Sequence, residues 1–223
     1  MPNRKFTFVC LALFCLIAFL CRGFLSPQAK VAAAAHASNA AAYTPAYTKD
    51  GDLVPPLQYR EWVYLTSGLD MSYNTKTSSD MPMFDNVFVN PEAYQAFIST
   101  GTWPDKTVMV LESRGAESKG SINKAGHFQS GAVMGLEVHL KDESRFPGKW
   151  AFFDVANETK ATLIPAGAPC YSCHADHAAV DTTFVQFYPT LLPIAQKKGT
   201  LSANYLKDLA AEPKPDAKAE SKH

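Results

Sequence analysis

The segment Cys170-Tyr171-Ser172-Cys173-His174 constrains this chain more than any other part of its sequence. Two cysteines three residues apart on a helix lie on one face, with their Cβ atoms about 5–6 Å from each other. From there each thiol can add to one vinyl group of a porphyrin, and the histidine that follows can reach the iron as its proximal ligand. The pattern C-x-x-C-H is the attachment signature of a c-type haem. The sequence therefore predicts haem c held by Cys170 and Cys173, with His174 as the iron ligand.

Two other uses of a C-x-x-C pair stay open at this point, a thioredoxin-like redox dithiol and a zinc site. Three of the five cysteines, Cys10, Cys15 and Cys21, lie in an apolar N-terminal run, so a zinc site would need its ligands from residues 170–177 alone. Structural zinc usually has four ligands, which is crowded within eight residues. A redox dithiol usually accompanies a βαβ pattern, and this pair lies late in the chain. Both interpretations fit less well than haem attachment.

The N-terminus has the order of a secretory signal. Arg4 and Lys5 precede an unbroken apolar run from Phe6 to Leu20, and an Ala-x-Ala sequence ends at Ala37. This arrangement predicts a cleaved signal peptide over residues 1–37 and export to the periplasm. The alternative is an uncleaved anchor, but Arg22 interrupts a stretch that would need about 20 apolar residues to span a membrane.

Charge and composition divide the rest of the chain. The sequence has 21 basic and 21 acidic residues and no basic stripe, so we expect no nucleic-acid partner. Residues 38–51 lack any period and predict a flexible leader. Residues 201–223 predict a mostly disordered tail, because from Ala210 onward no apolar residue is larger than alanine. Residues 52–200, about 150 in number, have the size of one domain.

The hydrophobic patterns within this domain favour strands. Four strands are predicted, at Phe84–Val89, Thr107–Ser113, Val133–Lys141 and Trp150–Val155. In the third, alternation places Leu136, Val138 and Leu140 inward and Glu137, His139 and Lys141 outward. The segment Tyr59–Ser67 fits a short helix or a strand equally well.

Helices are predicted beside these strands. One begins at Asn90-Pro91 and ends at Gly101. A second covers Cys170–Ala179, and a broken helix covers Phe184–Lys197, because Pro189 and Pro193 interrupt it. The predicted fold class is α+β, a mainly antiparallel sheet with a few helices packed around a C-terminal c-type haem site.

The methionines indicate what kind of haem protein this is. An electron-transfer cytochrome c generally pairs its histidine with a methionine from the later chain. Here all six methionines precede the motif. The cytochromes c′ share such an open iron, but they are four-helix bundles and this chain is too rich in strands. We therefore expect a haem c on a β-rich scaffold with an open distal face.

Six segments of the sequence, in order along the domain, resemble the cytochrome P-460 family, which includes the cytochromes c′-beta. They are YREWVYLTSG at 59–68, NVFVNPEAYQAF at 86–97, TGTWPDKTV at 100–108, GLE at 135–137, KWAFF at 149–153 and CYSCHADHAAVDTTFVQFYPTLLP at 170–193. The resemblance implies a periplasmic, β-rich, often homodimeric protein with covalently bound haem c. Some members oxidise hydroxylamine and pass the electrons to a periplasmic cytochrome. The c′-beta members bind nitric oxide and related gases.

One departure from the family pattern bears on function. Catalytic members carry a lysine that bonds to the porphyrin edge, and the aligned position here is Leu111. Lys119 and Lys124 lie outside that strand. Leucine cannot form the bond, so this departure favours binding or redox processing of nitrogen oxides such as nitric oxide, with hydroxylamine oxidation as the alternative.

Several other side chains are candidates for the site. Phe84 is expected to cap the distal face, with Phe88, Phe128 and Phe152 as alternatives. Glu112 and Glu137 are candidate proton acceptors. If the sixth position were filled, His127 or His139 would fill it, and His177 lies one turn from His174, where it can tune the ligand.

Overall fold

Six antiparallel strands, joined in sequence order, form the framework of the protein. The computed structural model describes residues 42–72 and 81–212. Each strand pairs with the next along the chain, and their bounds are Val63–Leu69 (β1), Met83–Val89 (β2), Val108–Glu117 (β3), Phe128–Lys141 (β4), Trp150–Asn157 (β5) and Lys160–Leu163 (β6). The predicted α+β class with a mainly antiparallel sheet is confirmed.

All four predicted strands are present as β2 to β5. The segment Tyr59–Ser67, which fitted a short helix or a strand, contains part of each. A 3-10 helix over Leu57–Glu61 is followed by β1. Strands β3 and β4 extend beyond their predicted ends and form a long hairpin. Its outer part carries few buried side chains, so the hydrophobic pattern had marked only the inner half.

Four α-helices accompany the sheet within the described residues: Pro91–Thr100 (α1), Pro169–His177 (α2), Leu192–Lys198 (α3) and Ala203–Ala211 (α4). Helix α1 begins and ends as predicted, with Gly101 in the left-handed conformation at φ 78°. Asn90 precedes it, but its side-chain oxygen accepts the N–H of Val108, 2.8 Å away, instead of capping the helix. The expected broken helix is a 3-10 turn over Val185–Phe187 followed by α3, in which Pro193 lies in the first turn.

Helix α4 corrects the prediction of a mostly disordered tail from residue 201. The hydroxyl of Ser202 accepts the N–H of Tyr205 and so caps the helix. Leu201 and Tyr205 pack against the hydrophobic core, which offsets the entropy of ordering this segment. The predicted tail beyond this helix, residues 213–223, and the predicted signal peptide, residues 1–37, lie outside the described residues.

The expected leader is also partly ordered. The ring of Tyr43 lies edge-on to that of Trp62 at 4.9 Å, and the hydroxyl of Tyr47 donates to Asp142 at 3.1 Å. The prediction of a flexible leader over residues 38–51 is thus corrected for its described part. Within the described residues no helix has both the length and the apolar character needed to cross a membrane.

Both faces of the sheet are covered. Leu53, Tyr59 and Trp62, from the segment before β1, pack on Val138 and Leu140. The helices and the connections between them cover the opposite face. His139 and Lys141, predicted to point outward, are consequently buried on that second face. Alternation along one strand distinguishes the two faces but does not reveal that both are covered.

A buried carboxylate, Glu112, links the segment before β1 to the sheet. Its side chain accepts hydrogen bonds from the hydroxyl of Tyr59 and from Arg114, whose Nε lies 2.5 Å away, and it pairs with Arg60. Burial by itself would raise the pKa of Glu112. The hydrogen bonds from Arg114 and Tyr59 and the charge of Arg60 outweigh that effect and hold its pKa below the ordinary value. The ionised form of Glu112 therefore stabilises the fold.

Replacing Glu112 with Gln should lower the free energy of unfolding at neutral pH by about 3–5 kcal/mol, because a buried ion pair loses one partner. Since the native pKa of Glu112 is lowered, the wild type loses the same interaction as the pH falls through that pKa. The difference between the two proteins should therefore shrink in acid. Urea unfolding over a pH series measures it.

The control is Glu117→Gln, at the exposed end of the same strand. It should leave the free energy of unfolding close to that of the wild type at every pH. A Glu112→Gln penalty that stays constant on acidification would contradict the role assigned to the charge.

Candidate functional site

Helix α2 presents the two cysteines and the histidine of the motif. Pro169 occupies its first turn, where a missing N–H costs nothing, and the helix continues to His177. Both Cys170 and Cys173 are free thiols and half-buried. Burial, with smaller contributions from Asp176 and Cys170, raises the pKa of the Cys173 thiol.

The orientation of His174 is set by a backbone carbonyl. Its Nδ1 lies 2.7 Å from the oxygen of Thr182. A carbonyl oxygen can only accept, so Nδ1 carries the proton and Nε2 carries the lone pair that a metal ion binds. Burial lowers the pKa of His174, and the bond to Thr182 opposes this only in part. The imidazole is therefore neutral, as ligation requires.

His174 borders a cavity of about 170 Å³ between the sheet and the helices. The cavity is lined mainly by apolar side chains: Val87, Met109, Leu111, Glu137, Val138, His139, Phe152, His174, Phe184 and Tyr188. Leu111 thus lies where the sequence placed it, in the wall of the candidate site. No lysine is among the described residues that line this cavity.

The sheet contributes two neighbouring rows of paired residues to this wall. In the first, Met109 pairs with His139 and His139 with Phe152, and all three are buried. In the second, Leu111 pairs with Glu137, and both have access to solvent. The cavity wall is therefore buried at the first row and reached by solvent at the second, which lies two residues further along the strands.

The arrangement of donors fits a c-type haem. Two free thiols and a neutral imidazole lie within five consecutive residues of one helix, and the imidazole borders a mainly apolar wall. Within the described part of the chain, no group of three or more His, Cys, Asp and Glu side chains is arranged to hold a metal ion. A zinc site built from side chains alone is therefore not supported there, whereas a haem needs only one protein ligand and the two thiols.

Phe84 does not belong to this site, and its prediction as a distal cap is wrong. It pairs with Arg114, on the face of the sheet that carries Glu112, whereas the cavity-lining Val87 pairs with Leu111. Strand residues an odd number apart point to opposite faces, which separates residues 84 and 87. Phe152 is the phenylalanine that faces the site, with its ring centroid 4.6 Å from that of His174.

The two candidate proton acceptors are separated by the sheet. Glu112 forms ion pairs with Arg60 and Arg114 on the face of the sheet opposite the cavity, whereas Glu137 lies in the cavity wall. Partial burial raises the pKa of Glu137, and the negative charges of Asp154 and Asp85 add to the shift. Of the two carboxylates, Glu137 is therefore the one that borders the cavity and whose neutral form is favoured by its surroundings.

His139, which the alternation had placed outward, belongs to the cavity wall. It is buried, its ring is stacked on Phe152 with centroids 4.0 Å apart, and its centroid lies 5.2 Å from that of His174. Burial, and then the nearby His174, lower the pKa of His139 far enough to keep it neutral. The one signal in the sequence for a buried His139 was the apolar character of the segments that form β3 and β5, the strands on either side of it. His127, the other candidate for a sixth ligand, is exposed in the connection before β4.

His177 lies on the outer side of the helix. Its Nδ1 is 2.8 Å from a carboxylate oxygen of Asp208, so it joins α2 to α4. This contact gives His177 a part in holding the helix pair together rather than a place at the cavity.

A second cavity, of about 500 Å³, lies beyond Phe152. Its apolar lining includes Trp150, Leu163, Tyr171 and Ala175 but not His174, and the described lining of neither cavity includes Cys170 or Cys173. Although it is larger, it does not reach the imidazole of His174. The smaller cavity is accordingly the candidate site.

Replacing Glu137 with Gln should raise the free energy of unfolding at neutral pH, by less than about 1 kcal/mol because solvent screens these carboxylates. A native pKa above the ordinary value means that the wild type loses stability as the pH rises through it, and a neutral amide does not. The two proteins should therefore converge in acid. Urea unfolding at several pH values, with the exposed Glu158→Gln as control, measures the difference. If Glu137→Gln were instead less stable than the wild type at neutral pH, the charge of Glu137 would be stabilised by its surroundings, which contradicts the raised pKa.

Comparison with known proteins adds a family to this geometry. No curated protein matches the chain significantly. A family model described as Cytochrome P460 matches residues 56–185, which include all six strands, the two cysteines, His174 and most of the cavity wall. Such a family implies a haem cofactor. Because the match covers more than half of the chain, this protein belongs to the cytochrome P460 family.

Proposed function

We propose that this protein is an exported c-type cytochrome with one haem and an open distal site, which binds or redox-processes small nitrogen oxides such as nitric oxide. The cavity beside His174 is the observation that supports the proposal most, because its wall is mainly apolar and contains no lysine among its described residues. Export follows from the predicted signal peptide over residues 1–37 and accords with haem c attachment.

Each residue of the motif has a separate task. Cys170 and Cys173 form the two thioether bonds, and His174 offers Nε2 because its other nitrogen is bonded to Thr182. When bound, haem iron supplies a coordination position for a diatomic ligand and one-electron redox chemistry. Phe152 and Phe184, with ring centroids 4.6 and 4.2 Å from that of His174, exclude water from this ligand.

The wall beyond His174 favours a small neutral ligand. Met109 and Leu111 present apolar side chains, which offer an incoming gas no hydrogen bond and attract no water. A leucine at position 111 also leaves no amine to modify the macrocycle. These properties support gas capture over catalysis.

Hydroxylamine oxidation is the second candidate, and Glu137 is the observation that favours it. Oxidation of hydroxylamine releases protons, and Glu137 lies in the cavity wall with a raised pKa, ready to accept one. In that case a periplasmic cytochrome would receive the electrons. A homodimer is a further expectation that comes from the family resemblance.

Covalent attachment is the first expectation to test. Haem should remain with the purified protein in acid acetone and appear in its intact mass, because each thioether replaces a vinyl group. The double variant Cys170→Ala, Cys173→Ala should lose the pigment to the solvent, whereas His174→Ala should keep it and change its spin state. Wild-type protein that releases its pigment would refute the attachment.

Ligand binding is the second expectation. The ferrous protein should bind carbon monoxide and nitric oxide without displacing a sulfur ligand, and it should turn over hydroxylamine only slowly with an artificial oxidant. Leu111→Lys should slow the association of nitric oxide, because a hydrated amine then replaces an apolar side chain in the cavity wall that the gas must pass. Stopped-flow mixing measures these rates.

A matched control is Leu69→Lys, which adds the same charge to an exposed position of β1 away from the cavity. It should leave the association rate unchanged. Hydroxylamine turnover as fast as nitric oxide capture in the wild type would instead favour the enzyme.

A further inference from the structure

We propose that His139 and Thr182 act together as positioning residues that hold the imidazole of His174 in the orientation a haem ligand needs. The inference rests on the proposed function, in which His174 binds the iron. It concerns two residues outside the C-x-x-C-H motif, on a strand and on a turn.

The turn that contains Thr182 is fixed to the core. Val180 and Thr183 exchange backbone hydrogen bonds of 3.3 and 2.9 Å across it, and Asp181 has the left-handed conformation at φ 52°. The hydroxyl of Thr183 donates to the carbonyl of Val180 at 2.8 Å and accepts from the indole of Trp103 at 2.7 Å. The backbone on one side of Thr182 is therefore tied to the hydrophobic core.

Thr182 itself contacts both histidines. Its carbonyl oxygen accepts the proton of Nδ1 of His174 at 2.7 Å, and its hydroxyl is joined to Nε2 of His139 at 3.3 Å. One residue thus connects the ligand to the sheet through two different groups. Loss of the hydroxyl would release the side of Thr182 that faces β4.

His139 is suited to be the fixed end of this connection. Its ring is stacked on Phe152 at 4.0 Å and an angle of 12°, and it also lies 4.5 Å from the ring of Trp150. It is buried, and its edge contact with His174 closes the remaining side. A ring enclosed by three aromatic neighbours cannot rotate without displacing them.

The expected consequence follows from the bond to Nδ1. A well-aligned hydrogen bond at Nδ1 makes the imidazole a stronger donor to the metal and fixes its plane. A stronger donor stabilises the ferric state relative to the ferrous one, so loosening Thr182 should raise the reduction potential of the haem. It should also lower the frequency of the iron–histidine stretch.

The test compares purified holoprotein variants by redox titration and by resonance Raman spectroscopy of the ferrous form. Thr182→Val removes the hydroxyl and keeps the carbonyl, and His139→Phe removes the nitrogens and keeps the stacking. Each should raise the potential and lower the stretching frequency. The double variant should shift no further than the larger single shift, because both changes break one connection.

Two controls separate this role from a general loss of structure. Thr182→Ser keeps the hydroxyl and should restore wild-type values, and Thr162→Val makes the same change at an exposed position of β6 and should have no effect. If His139→Phe does not accumulate, the comparison of Val with Ser at position 182 decides the question.

The result that would overturn the inference is an unchanged potential and stretching frequency in the Val variant with haem still attached. Additive shifts in the double variant would also overturn it, because the two residues would then act separately. Absence of covalent haem from the wild type is a different outcome, and it would refute the proposed function itself.

Discussion

The hydrogen bond between Nδ1 of His174 and the carbonyl of Thr182 is the interaction on which the site depends. It settles which nitrogen of the imidazole carries the lone pair, and it connects helix α2 to a turn anchored in the core. Cys173 and Cys170 lie one and four residues before His174 on the same helix, so the position of the helix places them as well. A helix with no fully buried side chain needs such a connection to keep its position.

The sheet contributes a change of environment along one face. The row of Met109, His139 and Phe152 is buried, and the row of Leu111 and Glu137 is open to solvent. A ligand on Nε2 of His174 can thus be protected on one side and accessible on the other. The opposite face carries the Glu112 network, which fixes the segment before β1 and leaves Glu137 as the carboxylate of the site. One strand pair therefore carries a carboxylate of the fold on one face and a carboxylate of the cavity wall on the other.

The features that depend on residues close together in sequence could be predicted. The C-x-x-C-H spacing, the helix start at Pro91 and the strand patterns depend on neighbours in sequence, and the structure confirms those elements. Phe84 and His139 were misplaced because their surroundings depend on register and on what covers each face. The role of Thr182 was invisible because a backbone carbonyl leaves no mark in a sequence. Helix α4 was missed because the core that Leu201 and Tyr205 pack against cannot be seen in the sequence, although Ser202 is a recognisable N-cap.

The proposed haem c is unmodified and five-coordinate, beside a mainly apolar wall. The optical spectrum of the reduced holoprotein is the decisive measurement, because a cross-link between the porphyrin and a lysine shifts the main absorption band strongly to the red. We expect the band of an ordinary high-spin ferrous haem c, and a change to a low-spin spectrum when carbon monoxide is added. A strongly red-shifted band, or a low-spin spectrum that carbon monoxide leaves unchanged, would contradict it.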